Sequence, residues 1–240
     1  MPGAAATVAF IGCCAAGCGG PRESGANLPD AAATAVNPVP ARSVSPAVSV
    51  PSVDDTRPLI VAFGDSLSAG FGLDPGQSYP DDLQRLVDAA GYRYRVANLG
   101  VSGDTTTDGV ERLPSVLAMR PAIVVLEFGG NDGLRGQPVA SAKQNMAGMI
   151  EALRKNGAQV VIAGMTLPRN YGPEYIHSFE QMYIELADEY HLVRIPFLLE
   201  GVGGVASLTQ ADGLHPTAKG AQIVAGTVMK YLKPLLKPSR

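Results

Sequence analysis

The sequence predicts an α/β domain: a mostly parallel sheet of about five strands with helices on both faces. Three observations predict it. From residue 58 onward, short apolar runs alternate with amphipathic stretches of helical period. The run Ala122-Ile123-Val124-Val125-Leu126-Glu127-Phe128 is apolar without alternation, as a strand covered on both faces requires. Several residues suited to chemistry fall just after predicted strands, at the edge where open parallel sheets collect their ligands.

Residues 1–18 read as a targeting segment. Ala4 to Ala16 is a small apolar stretch of the length of a signal h-region, too short to span a bilayer. It ends in Ala15-Ala16-Gly17-Cys18, which is similar to the lipobox of bacterial lipoproteins, where the cysteine is lipidated and becomes the new N-terminus. The segment departs from that pattern in two ways: no Lys or Arg precedes the apolar stretch, and Ala15 stands where Leu is usual. Export, with a possible membrane tether through Cys18, is the expectation; a soluble protein with an apolar leader is the alternative. Residues 19–57 are rich in Ala, Pro, Ser and Val. Pro38, Pro40, Pro46 and Pro51 each fix φ and remove a backbone donor, so an extended linker is expected.

The domain is expected over residues 58–240. Leu59 to Phe63 forms the first strand and stops on Gly64-Asp65-Ser66. Ser78-Tyr79-Pro80-Asp81 has the form of a helix start, with Ser as N-cap, an early Pro and an acid in the first turn. Leu83, Leu86, Val87 and Ala90 give that helix one apolar face, and Gly91 stops it. Tyr94 to Leu99 is the second strand. Val110, Leu113 and Leu117 mark a short helix beyond the Ser102-Gly103 loop, and Ala122 to Phe128 is the third strand. Val139, Ala142, Met146, Met149, Ile150 and Leu153 share a helical face that ends at Gly157. Gln159 to Ala163 is the fourth strand. Phe179, Met182, Tyr183, Leu186, Ala187 and Tyr190 line another helix, and Leu192 to Ile195 is the fifth strand. Ile223, Val224, Thr227, Val228, Tyr231 and Leu232 mark the last helix. All these stripes are read as core.

Composition narrows the possible partners. With 46% hydrophobic residues the domain can bury a core, and the net charge of −3 with no long basic run gives no reason to expect nucleic acid. The cysteines, Cys13, Cys14 and Cys18, all lie in the leader, so neither a disulfide nor a cysteine metal site can hold the body together. His177, His191 and His215 do not cluster in sequence, and no metal site is expected.

Serine by itself is a weak nucleophile and needs a base and an oxyanion site. Ser66 follows the first strand, Gly103 the second and Asn131 the third, so their loops share one edge of a parallel sheet. Asp212 and His215 stand in the loop before the last helix. Their spacing lets the carboxylate reach Nδ1 and leave Nε2 to take a proton from a serine. Gly103 can bring its N–H close to a ligand, and Asn131 can present an amide N–H. With the Ser66 N–H they would make an oxyanion hole, although singly Gly103 also suits a turn and Asn131 a loop cap. Asp65 is expected to hold backbone groups near the nucleophile. His177 and His191 lack a carboxylate partner in sequence and read as ordinary surface histidines.

Gly64-Asp65-Ser66-Leu67, Gly103, Gly129-Gly130-Asn131-Asp132 and Asp212-Gly213-Leu214-His215-Pro216 resemble, in order, the blocks of the SGNH/GDSL hydrolases. The resemblance covers about residues 58–233. The stretches Asn98 to Thr106, Gly129 to Gly136 and Leu167 to Gly172 are similar to the branch of bacterial thioesterase I, lysophospholipase L1 and arylesterase. The resemblance implies a three-layer α/β/α sandwich of flavodoxin-like type and no cofactor. It assigns Ser66 as nucleophile, His215 as base, Asp212 as its orienter, and Gly103 and Asn131 as oxyanion donors. It also implies small-molecule or lipid ester substrates, with Leu134, Pro168 and Tyr171 as candidates for an acyl groove; loop packing would use the same apolar residues. A carbohydrate O-acetyl esterase on the same residues, and a non-catalytic binding lipoprotein, are the alternative readings. An α/β-hydrolase would want Gly-x-Ser-x-Gly in mid-chain, whereas here Ser68 stands two residues after Ser66.

Overall fold

The computed structural model of the protein describes residues 55–238. The expected targeting segment with Cys18, and the linker as far as residue 54, lie outside the described residues.

The elements run β1 (Leu59–Gly64), α1 (Ser66–Ala69), α2 (Tyr79–Ala89), β2 (Arg95–Asn98), α3 (Thr106–Ala118) and β3 (Ile123–Glu127). They continue as α4 (Gly130–Leu134), α5 (Val139–Lys155), β4 (Gln159–Ala163), α6 (Pro173–Tyr190), β5 (Val193–Ile195) and α7 (Ala218–Leu232). The strands form a five-stranded parallel sheet in the order β2-β1-β3-β4-β5. This is the flavodoxin-like order, whose topological switch lies between β1 and β3. The segments after those two strands carry Ser66, at the start of α1, and Asn131, in α4.

Period-two alternation along each strand divides the core into two layers. Val61, Phe63, Val124, Leu126 and Ile162 face Met146, Met149 and Phe179 of the α3, α5 and α6 layer. Ile60, Ala62, Val125 and Val161 face Leu83, Val87 and Val224 of the α2 and α7 layer. The three-layer expectation holds.

The predicted start of α2 is made by side chains, and α3 starts in the same way. Ser78 accepts from the Asp81 N–H while the Asp81 carboxylate accepts from the Ser78 N–H, a reciprocal capping box, and Thr105 and Asp108 repeat it at α3. Some apolar faces turn differently from the expectation. Leu86, Val110 and Ile223 are exposed, at 37%, 41% and 37%, and Ala90 is exposed too. In α2 the buried row is Tyr79, Leu83 and Val87, which leaves Leu86 at its margin. In α3 the buried row is Gly109, Leu113 and Val116. A Cβ at Gly109 would lie 3.0 Å from Phe128 Cζ, so that helix approaches the sheet on its glycine and turns Val110 outward. Two short helices, α1 and α4, occupy stretches expected to be loop, and α3 is longer than the short helix expected.

Candidate active site

β1 ends on Gly64, and Asp65 caps the four-residue α1 by accepting the Leu67 N–H on Oδ1 at 3.0 Å. Ser66 opens that turn at the carboxyl edge of the sheet. Its Oγ lies 2.8 Å from His215 Nε2, and His215 Nδ1 lies 2.6 Å from Asp212 Oδ2. With the Nδ1 proton directed at the carboxylate, Nε2 is the acceptor for the serine hydroxyl. Asp212 Oδ1 also accepts the N–H groups of Leu214 at 2.9 Å and His215 at 3.0 Å. Partial burial alone would raise its pKa. The bonds from the His215 ring and from the two backbone N–H groups outweigh burial and hold Asp212 at about 2.

The loop bearing His215 is tied to the nucleophile segment by residues the sequence reading did not single out. Gln210 donates from Nε2 to the Phe71 carbonyl at 2.7 Å and to the Pro216 carbonyl at 2.9 Å. The Phe71 ring lies 4.6 Å from the His215 ring, centroid to centroid, while remaining 49% exposed. An exposed aromatic between two glycines was the available signal.

On the other side, Asn131 sits in α4, directly after β3. Its Nδ2 donates to Asp65 Oδ2 at 3.0 Å and to the Asp104 carbonyl at 2.9 Å, so its amide plane is fixed before any ligand arrives. Gly103 has φ of +89°, a region that disfavours a side chain, and its carbonyl accepts from Arg135 Nη2 at 2.9 Å. The Gly103–Asp104 loop is held by Arg112. Its guanidinium donates to Asp104 Oδ2 at 2.6 Å, to the Leu99 carbonyl at 2.9 Å and to the Gly64 carbonyl at 3.1 Å. Arg112 thereby joins the ends of β1 and β2, a role that local sequence does not announce. Buried Asp132 joins α4 to the start of α3, accepting from Thr106 N–H at 2.9 Å and Thr106 Oγ1 at 2.6 Å.

The floor beneath Ser66 is acidic. Glu127, the last residue of β3, is fully buried at 0% exposure, and Asp65 is 3% exposed. Glu127 Oε2 accepts from Asp65 N–H at 3.1 Å, Ser68 N–H at 3.3 Å and Ser68 Oγ at 2.9 Å. Ser68 Oγ also lies 3.0 Å from the Tyr79 hydroxyl. Burial, and after it the neighbouring Asp65 charge, push the Glu127 carboxyl well above the ordinary range. The expectation that Asp65 holds backbone groups near the nucleophile agrees with its bond to the Leu67 N–H; its bond to the Asn131 side chain lies beyond that expectation.

Of the groove candidates, Leu134 and Tyr171 meet, the Tyr171 hydroxyl donating to the Leu134 carbonyl at 2.8 Å. Pro168 is exposed and precedes the 3-10 turn Arg169–Tyr171. A shallow apolar crevice lies beside Ser66 and His215 and is lined by Phe71, Leu73, Leu199 and Val224. His177 is exposed, and His191 closes α6 in a left-handed conformation with φ of +52°. Among the described residues no group of three or more His, Cys, Asp or Glu is arranged to hold a metal ion. No described helix is long and apolar enough to cross a membrane.

A hydroxyl, an imidazole and a carboxylate joined in series at the carboxyl edge of a parallel sheet define a serine hydrolase of the α/β/α class. The chain belongs to the GDSL-like lipase/acylhydrolase family, whose model matches residues 62–223. It is similar to esterase TesA of Pseudomonas aeruginosa, 46% identical over 178 residues that cover 74% of this chain and 89% of that protein. A crystal structure of TesA superposes with a TM-score of 0.72 over 75% of this chain and 100% of that chain. The arylesterase of Vibrio mimicus is 36% identical, covering 72% of this chain and 89% of its own length. Thioesterase 1/protease 1/lysophospholipase L1 of Escherichia coli (strain K12) is 33% identical, covering 74% and 84%. The protein is an SGNH-type serine hydrolase of ester bonds.

Proposed function

We propose that Ser66 is the nucleophile of a two-step acyl transfer, with His215 as general base and Asp212 as its orienter. The unbroken run Ser66 Oγ–His215 Nε2, 2.8 Å, and His215 Nδ1–Asp212 Oδ2, 2.6 Å, carries this reading. His215 takes the Ser66 proton as Oγ attacks the ester carbonyl. The N–H groups of Ser66 and Gly103 and the Asn131 amide receive the oxyanion, which would compete with the Asp104 carbonyl for one Asn131 hydrogen. The imidazolium then protonates the leaving alcohol or thiol. Water, deprotonated by the same imidazole, attacks the acyl-enzyme, and Ser66 regains its proton.

Fatty acyl and aryl esters, thioesters and lysophospholipids are the proposed substrates, by analogy with the names of the relatives. Leu134, Pro168 and Tyr171 supply apolar surface for the acyl chain on the α4 side of the nucleophile. The first test is hydrolysis of p-nitrophenyl esters of graded acyl length, with Ser66→Ala as control. A rate that rises toward medium or long chains and vanishes in Ser66→Ala is expected. A rate confined to acetate would instead point to a carbohydrate O-acetyl esterase. Substantial turnover by Ser66→Ala would end the nucleophile assignment, and no serine-dependent rate at any length would point to a binding lipoprotein. Export and lipidation at Cys18 rest on the leader sequence alone. Metabolic labelling with an alkyne fatty acid should mark the full chain and spare Cys18→Ala; equal labelling of both would remove Cys18 as the anchor.

A further inference from the structure

We propose that Glu127 is held as a neutral acid beneath the nucleophile and acts as a positioning residue. Its proton is shared with Asp65, so that Asp65 alone carries the charge that orients Asn131 and the Ser66 turn. This rests on the roles proposed above for Ser66 and Asn131.

Glu127 stands opposite Gly64 in the β1–β3 register, which sets its side chain directly under the Asp65–Ser66–Leu67–Ser68 turn. A Cβ at Gly64 would lie 2.2 Å from Glu127 Oε2, so that turn closes onto the carboxyl group with no room between them. Oε2 takes three donors from the turn: Asp65 N–H, Ser68 N–H and Ser68 Oγ–H. Oε1 is buried and receives no N–H or O–H. A buried carboxylate oxygen without a donor is costly, whereas a carboxylic acid needs one acceptor for its proton. The Asp65 carboxyl, buried beside Glu127, is the hydrogen-bond acceptor this assignment requires. Two carboxyl groups can form such a bond only across a proton.

The surroundings decide which acid holds the proton. Asp65 accepts from Leu67 N–H on Oδ1 and from Asn131 Nδ2 on Oδ2, and it faces the side where the His215 imidazolium forms. Glu127 has the hydroxyls of Ser68 and Tyr79 on one side and lies in the field of Asp65. The nearby cation, Arg112, points its donors at Asp104, Leu99 and Gly64. Among the described residues no cation bonds Glu127. Burial raises both acids; the Leu67 N–H and the His215 charge pull Asp65 back down, whereas the Asp65 charge raises Glu127 further, which agrees with a proton residing on Glu127. The chain of contacts then runs from the Glu127 acid to the Asp65 anion, and from Asp65 to the Asn131 amide.

The experiment compares the full-length wild-type protein with Glu127→Gln and Glu127→Met. At neutral pH the infrared spectrum of the wild type should show the carbonyl stretch of a protonated buried carboxyl group, and Glu127→Gln should lack it. Glutamine donates and accepts in the same places as the acid, so its kcat should stay within about threefold of wild type, a small barrier change. Methionine removes the donor and acceptor at similar length. Its kcat should fall about a hundredfold with KM little changed, the size of effect expected from a displaced reacting group. The proposal is overturned if wild type and Glu127→Gln share the same infrared band, or if folded Glu127→Gln loses activity as Met does. Full activity in Glu127→Met would overturn it too. Should Glu127→Met fail to fold, the infrared band and the Gln kinetics still decide. Ser66→Ala run alongside separates the two readings: turnover there would sink the nucleophile assignment and leave the infrared result standing.

Discussion

The Asp212 carboxylate accepts three hydrogen bonds from the segment that carries His215, one from the ring and two from backbone N–H groups. The loop therefore organises its own base before it meets Ser66. Those bonds depress the carboxyl from its ordinary value of 3.8 to about 2. A depressed acid contributes its stabilisation above its unfolded value, and here that contribution is lost only as pH falls toward about 2. Asp212 is thus an anion throughout the neutral and mildly acidic range. Asp212→Asn should lower kcat at all these pH values by roughly 10³–10⁴, as the imidazole loses its tautomer and orientation. A loss below about tenfold would mean that another group orients His215. Asn131→Ala should lower kcat by about 10²–10³ with KM little changed, the usual loss of one oxyanion donor. Steady-state kinetics on one p-nitrophenyl ester measures both. An equal rise in KM instead would make Asn131 a ground-state binding group.

Among the elements, the junction of β1 and α1 carries the tightest constraint. Besides Glu127 Oε2, a Cβ at Gly64 would meet the Glu127 carbonyl oxygen at 2.5 Å and Ser68 Oγ at 2.6 Å. Gly64→Ala should destabilise the fold by about 1–3 kcal/mol, the range for overpacking, and slow phosphonylation of Ser66 by a fluorophosphonate. Urea midpoints and labelling rates report the two effects, and an unchanged labelling rate would detach this junction from the chemistry. The start of α2 was legible because its signal is local: Ser78 and Asp81 are three residues apart and cap each other. Strand β4 was read to its ends, since Gln159 opens an apolar run, Val160 to Ala163, that Gly164 closes. The faces of α2, α3 and α7 were less legible. Which of two adjacent apolar residues turns inward depends on how a helix seats on the sheet, and for α3 the seat is Gly109 against Phe128 and Met149.

At the scale of the molecule, both core layers share one sheet, so neither can open without exposing the strands that serve the other. Residues 55–240 expressed alone should unfold in urea as one transition and hydrolyse the ester series at the full chain's rate. Two separated transitions, or a rate that needs residues 1–54, would contradict this. The strand order also places the chemistry. β1 and β3 are neighbours at the switch point, which brings Ser66 and Asn131 together although 65 positions separate them in the chain.

The sequence by itself determined the strands, the long helices and their order, the parallel sheet, and the candidate set Ser66, Gly103, Asn131, Asp212 and His215. Each of these is written in periodicity, in capping residues or in short motifs, and such signals survive in one dimension. Only the tertiary structure decided what surrounds that set. Glu127 reads in sequence as one polar interruption in an apolar strand; the β1–β3 register sets it under the nucleophile. Arg112 reads as a charge on a helix; folding turns it across Phe63, 4.9 Å from the ring centroid, to bind three loop ends. The physical reason is common to both. A buried polar group is explained by partners many residues away, and those partners are chosen by strand register and helix seating rather than by neighbours in the chain.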